Sequence, residues 1–144
     1  MRIDTLLSQH RYLLDIVDRI AGLRPEKDAM AIAEELARLA MTLLQHCEVE
    51  DRHLYPVLRQ YGDRPDAPIG LKVNIKNFFD EMEAFKPIAQ SFLAHWSQTA
   101  IAQNPQDFRE AFAKLSDTLG QRIAREESRL YPLYTEHVLA TTSS

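Results

Sequence analysis

The chain has 144 residues, 45% of them hydrophobic, with a formal net charge of −4 and a single cysteine. That length gives one domain with a sizeable core and is short for two, while the acidic balance, with no basic stripe, argues against nucleic acid as a partner. The lone Cys47 excludes an internal disulfide and suits a reducing cytoplasm. No apolar leader opens the chain and no apolar run is long enough to span a bilayer, which predicts a cytoplasmic chain with no membrane partner.

Few glycines and no alternating β-branched runs predict an all-α protein. Asp4 is the expected N-cap of a first helix to about Leu23, with Leu6, Leu7, His10, Leu13, Leu14, Val17, Ile20 and Ala21 facing inward. Asp28 caps a second helix that runs to about Tyr61 and bends near Pro56. Gly62 to Gly70, with two prolines and two glycines, reads as the one long loop. In the third segment Ile75, Phe78, Phe79, Met82, Phe85, Ile88, Phe92, His95, Trp96 and Thr99 recur at helical spacing, and Pro87 predicts a kink or two shorter helices. Asn104-Pro105-Gln106-Asp107 starts a fourth helix that turns Phe108, Phe112, Leu115, Leu119, Arg122, Glu126 and Leu130 inward and bends at Pro132. These segments predict an antiparallel up-down four-helix bundle over residues 1–139, with a disordered tail at 140–144.

Within the apolar stripe of the second helix stand His46 and, four residues on, Glu50. A carboxylate at such a position requires a compensating cation, a metal or a basic side chain. The stretch has a copy 76 positions later (122 − 46): Gln45, Glu50, Leu54, Tyr55 and Pro56 fall on Gln121, Glu126, Leu130, Tyr131 and Pro132. One position breaks the match in chemistry, since His46 falls on Arg122. Every predicted helix thus sets a polar group in its seam: His10; His46 and Glu50; His95; Arg122 and Glu126. Imidazole and carboxylate in a dry cavity form a ligand set suited to iron, manganese or zinc.

This pattern resembles the hemerythrin-like cation-binding family. The resemblance rests on His10, on His46-x-x-x-Glu50 followed by Leu54-Tyr55-Pro56, on His95, and on Glu126-Glu127 followed by Leu130-Tyr131-Pro132. It implies a bundle that holds one or two non-haem irons through His10, His46, Glu50, His95 and Glu126, and that senses or carries a small ligand such as O2 or NO, or iron itself, rather than turning over a substrate. In that family the fourth helix repeats His-x-x-x-Glu. Arginine has no lone pair to offer, so Arg122 cannot be a ligand. Leu119-Gly120-Gln121-Arg122 with Glu126-Glu127 is also similar to the last helix of bacterial anti-sigma regulators, which implies the alternative of a metal-free bundle that binds a protein partner such as a sigma factor. If Arg122 points inward it can take Glu50 or Glu126 as a bidentate partner; if it turns outward, the remaining five groups are free for metal. His53 and His137 read as flanking or exposed, Cys47 as a small buried hydrophobe, and Tyr55 and Tyr131 as packing at the bundle end.

Overall fold

The computed structural model describes residues 2–142, with side chains to residue 137. Among these the chain is helical throughout, without strand. Helix α1 spans Ile3–Ala21, α2 Ala29–Val49, α3 Tyr55–Gly62, α4 Leu71–His95, α5 Gln98–Gln103, α6 Pro105–Arg125 and α7 Tyr131–Thr142. Helix α1 packs along α2, α2 touches α4 and α5, α3 touches α4 and α7, and α6 touches α1 and α5. No helix among the described residues is long and apolar enough to cross a membrane.

Two joints depart from regular α-helix. Glu50–Leu54 and Glu126–Leu130 each form a π turn, joining α2 to α3 and α6 to α7. The backbone N–H of Tyr55 reaches back five residues to the Glu50 carbonyl, and that of Tyr131 to the Glu126 carbonyl. The cause lies one residue on. Pro56 and Pro132 have no N–H to give, and their rings crowd the carbonyl four residues back, so the preceding turn opens by one residue. The bends foreseen at the prolines are therefore made upstream of them.

Pro87 behaves differently, because α4 runs unbroken through it. The carbonyl it would crowd belongs to Glu83, an exposed residue, so that carbonyl is open to solvent and costs little when its helical bond is lost. Helix α4 ends at His95 instead of continuing to Thr99; Ser97 caps the separate short α5, its hydroxyl accepting from the Ala100 N–H at 3.2 Å. Asp4 lies in the first turn of α1, whose N-cap is Arg2. Gly70 opens α4 with φ 85°, a left-handed conformation that favours glycine. Ala140–Thr142 continue α7 where the sequence predicts a disordered tail, and residues 143–144 lie outside the described residues.

The buried side chains form two apolar clusters. One gathers Leu13, Ile16, Ile32, Leu36, Leu39, Phe108, Phe112 and Ile123 with their neighbours. The other gathers Leu6, Leu54, Tyr55, Leu58, Ile75, Phe78, Leu130 and Tyr131. At about 2 kcal/mol for each fully buried aliphatic side chain, these clusters carry the fold. Between them the periodic stripe is interrupted: His10 falls between Leu6 and Leu13, Glu50 between Cys47 and Leu54, and Glu126 between Ile123 and Leu130. Leu14 and Ile88, expected inward, are exposed.

Candidate metal centre

The interruption is a polar layer built by three stretches of chain. His10 comes from the middle of α1, His46 from the last turn of α2, and Glu50 and Glu126 open the two π turns. None is more than 3% exposed. The π turns also decide what accompanies the glutamates. On a regular helix, five positions rotate a side chain by about 140°, which would carry Tyr131 off the face of Glu126. In the wider turn Leu130 and Tyr131 both face inward, as do Leu54 and Tyr55.

Tyr131 thereby enters the layer. Its hydroxyl donates to Glu50 Oε2 at 2.9 Å and lies 3.0 Å from His10 Nε2 and 3.5 Å from His46 Nε2. His10 Nε2 is 3.1 Å from His46 Nε2 and 3.0 Å from Glu126 Oε1. His46 Nε2 is 3.3 Å from Glu50 Oε2 and 3.4 Å from Glu126 Oε1. The outer nitrogens are already committed: His10 Nδ1–H donates to Glu127 Oε2 at 3.0 Å, and His46 Nδ1–H to Gln9 Oε1 at 2.8 Å. Both Nε2 atoms therefore point inward at one another.

Two lone pairs and two carboxylates cannot share a dry space without positive charge. Burial, and then the adjacent Glu126 carboxylate, push the Glu50 carboxyl well up. Burial alone would raise Glu126 too, but hydrogen bonds from Glu50, His10 and His46 hold it down. Burial alone would lower His46, and hydrogen bonds to Glu126 and Glu50 outweigh it, holding the imidazole up to about 9. Burial first, and the two carboxylates after it, raise Tyr131. Without a metal, protons on His46 and between the carboxylates are the compensating charge. Glu50 Oε1 and Glu126 Oε2 are buried and meet no donor among the described residues.

A metal fits the same arrangement. One ligand atom from each of His10, His46, Glu50 and Glu126 lies within 4.8 Å of all the others. Bonds of about 2.0–2.2 Å from one ion place neighbouring donors roughly 3.0–3.5 Å apart, the spacing measured here. Cys47, whose thiol burial pushes up to about 12, is not among these converging groups and packs in the apolar cluster instead.

A family model described as the hemerythrin HHE cation-binding domain matches residues 1–134. The chain belongs to that family. Neither a curated protein nor a solved structure matches it.

One ligand position expected from the sequence, His95, does not join this HHE layer, and Arg122, which stands where the family has its fourth-helix His, points away from it as well. His95 is exposed at the end of α4, its ring edge-on to Trp96. Helix α4 passes from one apolar cluster to the other between Phe78 and Met82, and thirteen residues beyond Met82 is about 20 Å further along the axis. Arg122 pairs with neither Glu50 nor Glu126. Its guanidinium is 2.5 Å from Glu81 Oε2 on α4, which Arg125 also meets at 2.6 Å. His53 is exposed, whereas His137 is buried, its ring stacked on Tyr61 at 4.5 Å.

The repeat of this HHE domain reaches further than the motif that revealed it. Helix α2 and its π turn map onto α6 and its π turn residue for residue at a shift of 76 (105 − 29, 126 − 50). Carried to the first helix, the same shift lays the buried Leu6, Leu13, Ile20 on the buried Met82, Ala89, Trp96, and lays His10 on Lys86. The contact is repeated as well: as His10 on α1 meets Glu127, Lys86 on α4 meets Asp51 at 3.1 Å (127 − 51 = 76). The third-helix counterpart of His10 is thus Lys86, not His95. Gln9, Glu127 and Tyr131 are the polar neighbours the sequence reading overlooked.

Proposed function

We propose that this chain is a metal-binding bundle whose ion is iron, held by His10, His46, Glu50 and Glu126, and that it senses or carries a small ligand such as O2 or NO, or iron itself, in the cytoplasm without turning over a substrate. The observation that carries this is the pair of inward Nε2 atoms 3.1 Å apart with both Nδ1–H groups already donating outward. Outer partners of that kind fix the tautomer of metal-bound histidines. The four long rods, α1, α2 with α3, α4, and α6 with α7, are proposed to run as an antiparallel bundle, because such packing brings His10, His46 and Glu126 to one level. Bound iron would supply the redox and ligand-exchange chemistry; the chain supplies orientation, charge balance and exclusion of water.

Elemental analysis of protein purified without chelator, beside its visible spectrum, tests this. Iron at a fixed ratio to chain supports it, and protein that neither carries nor takes up iron overturns it. The second reading, a metal-free regulator that binds a protein partner such as a sigma factor, draws on Met30, Met41 and Leu44, exposed along α2. That protein would stay folded and active in binding with no ion at all.

A further inference from the structure

We infer that the layer is built for a single trivalent ion with the Tyr131 oxygen as its fifth donor, an inference that rests on the metal reading above. Tyr131 Oη is 2.9 to 3.5 Å from Glu50 Oε2, His10 Nε2 and His46 Nε2. Those separations match the 3.0 to 3.4 Å that relate His10 and His46 to each other and to their nearest layer carboxylate oxygens, so the phenol oxygen stands at a corner of the same shell of donors. Its repeat partner does not: Tyr55 packs edge-on to Phe79, with ring centroids 5.3 Å apart. The fifth donor is supplied once only.

A second ion lacks nitrogen. The positions that the repeat sets opposite His10 and His46 are Lys86 and Arg122, and both are cations already engaged, with Asp51 and Glu83 in one case and Glu81 in the other. The remaining histidines stand outside the layer, His53 and His95 exposed and His137 against Tyr61. A second ion would find two carboxylate oxygens, Glu50 Oε1 and Glu126 Oε2, and no imidazole. One ion uses those oxygens as chelating arms.

Charge selects the valence. Two neutral imidazoles, two carboxylates and one phenolate carry three negative charges in a layer sealed by apolar side chains on either side. A trivalent ion cancels them; a divalent ion leaves the phenol protonated and donating to Glu50. On uptake of the trivalent ion the phenol proton passes to solvent.

The test titrates ion-free full-length protein with Fe3+, Ga3+ and Zn2+ supplied as weak chelates. One Fe3+ or Ga3+ per chain is expected, Fe3+ giving a tyrosinate-to-iron charge-transfer band in the visible and Ga3+ the near-ultraviolet difference spectrum of one ionised tyrosine. Zn2+ gives neither. Tyr131→Phe keeps the ring volume, loses both signals and weakens Fe3+ binding by roughly a hundredfold, the upper end of what losing even a supporting partner costs; Tyr55→Phe keeps both signals. Two ions per chain, a signal that survives Tyr131→Phe, or a Ga3+ complex without ionised tyrosine in the wild type overturns this inference and leaves the metal reading standing. No uptake of any ion overturns both.

Discussion

Lys86 occupies on α4 the place that His10 occupies on α1. Each lies on the inner side of its helix and reaches across to the acidic residue that follows a layer glutamate, Asp51 for Lys86 at 3.1 Å and Glu127 for His10 at 3.0 Å. With Arg122 opposite His46, the second half of the repeat has exchanged both of its imidazole positions for fixed positive charge. The double variant Lys86→His with Arg122→His is expected to raise bound iron from one per chain to two, measured by elemental analysis of folded protein. An unchanged ratio would mean that the repeat does not set ligand positions.

Arg122→Ala is expected to be mild. The Arg122 side chain is about one-fifth exposed, and Arg125 still meets Glu81 when it is gone. Such partly exposed pairs contribute about 1 kcal/mol or less, so the melting temperature of the ion-free protein should move by only a few degrees. A loss on the order of 3–5 kcal/mol is what removing the partner of a buried charge costs, and would show that Arg122 neutralises the layer after all.

Glu127 holds His10 by its outer nitrogen while its own side chain is 41% exposed. Glu127→Ala should therefore weaken metal binding by roughly ten- to a hundredfold with little effect on the ion-free melting temperature. Competition against a chelator of known affinity measures the first and calorimetry the second. Equal affinity in variant and wild type would remove Glu127 from the site.

The ion-free protein should lose stability on the alkaline side. His46 is held up to about 9 from an ordinary 6.5, and Glu50 is also raised above its ordinary 4.5. The folded state binds these protons more tightly than the unfolded chain does. Their stabilisation is complete below the ordinary values and drains as pH rises, for His46 across about 6.5 to 9. Glu126, lowered, acts in the opposite sense: its contribution is present above 4.5 and is lost as pH falls. Metal binding tightens over the same alkaline range, since protons compete less for the donors. Melting curves of ion-free protein from pH 6 to 9 check this, and Glu50→Gln, which cannot ionise, should flatten part of the fall. A melting temperature that holds level across that range would count against the assignment.

His95→Ala should leave metal content and affinity untouched, because the ring lies against Trp96 outside the layer. Any loss of bound ion beyond experimental scatter would restore it to the ligand set.

What could be read without coordinates was whatever depends on local periodicity. His10, His46, Glu50 and Glu126 sit on apolar stripes at steps of three and four, so their inward direction was already in the sequence. Their shared level was legible only for Glu50 and Glu126, through the repeat. The level of α4 depends on how far the loop after Gly62 carries the chain, which spacing within a helix cannot report, and His95 was misplaced for that reason. That the Tyr131 hydroxyl reaches the layer was not legible, because a stripe drawn at 3.6 residues per turn has no room for a π turn. Proline directly after tyrosine, in both copies, was the available signal. The turn of the Arg122 guanidinium away from the layer followed from Glu81, a partner on another helix that no local pattern names.

The division of the apolar interior into two clusters has a consequence for how the molecule comes apart. The cluster containing Leu6, Leu58, Ile75 and Tyr131 is the smaller one and is served by short stretches: the start of α1, the short α3, the start of α4 and the last helix. Such a unit can open by itself while the larger cluster stays shut, giving amide protons on α3 and α7 a lower protection than those on α2 and α6. The groups that join the two units are the ones proposed to hold the ion. Occupancy would then be felt far from the ligands, as slower exchange at the free end of the bundle, and the protein could report a filled site through the rigidity of a surface that never touches the metal.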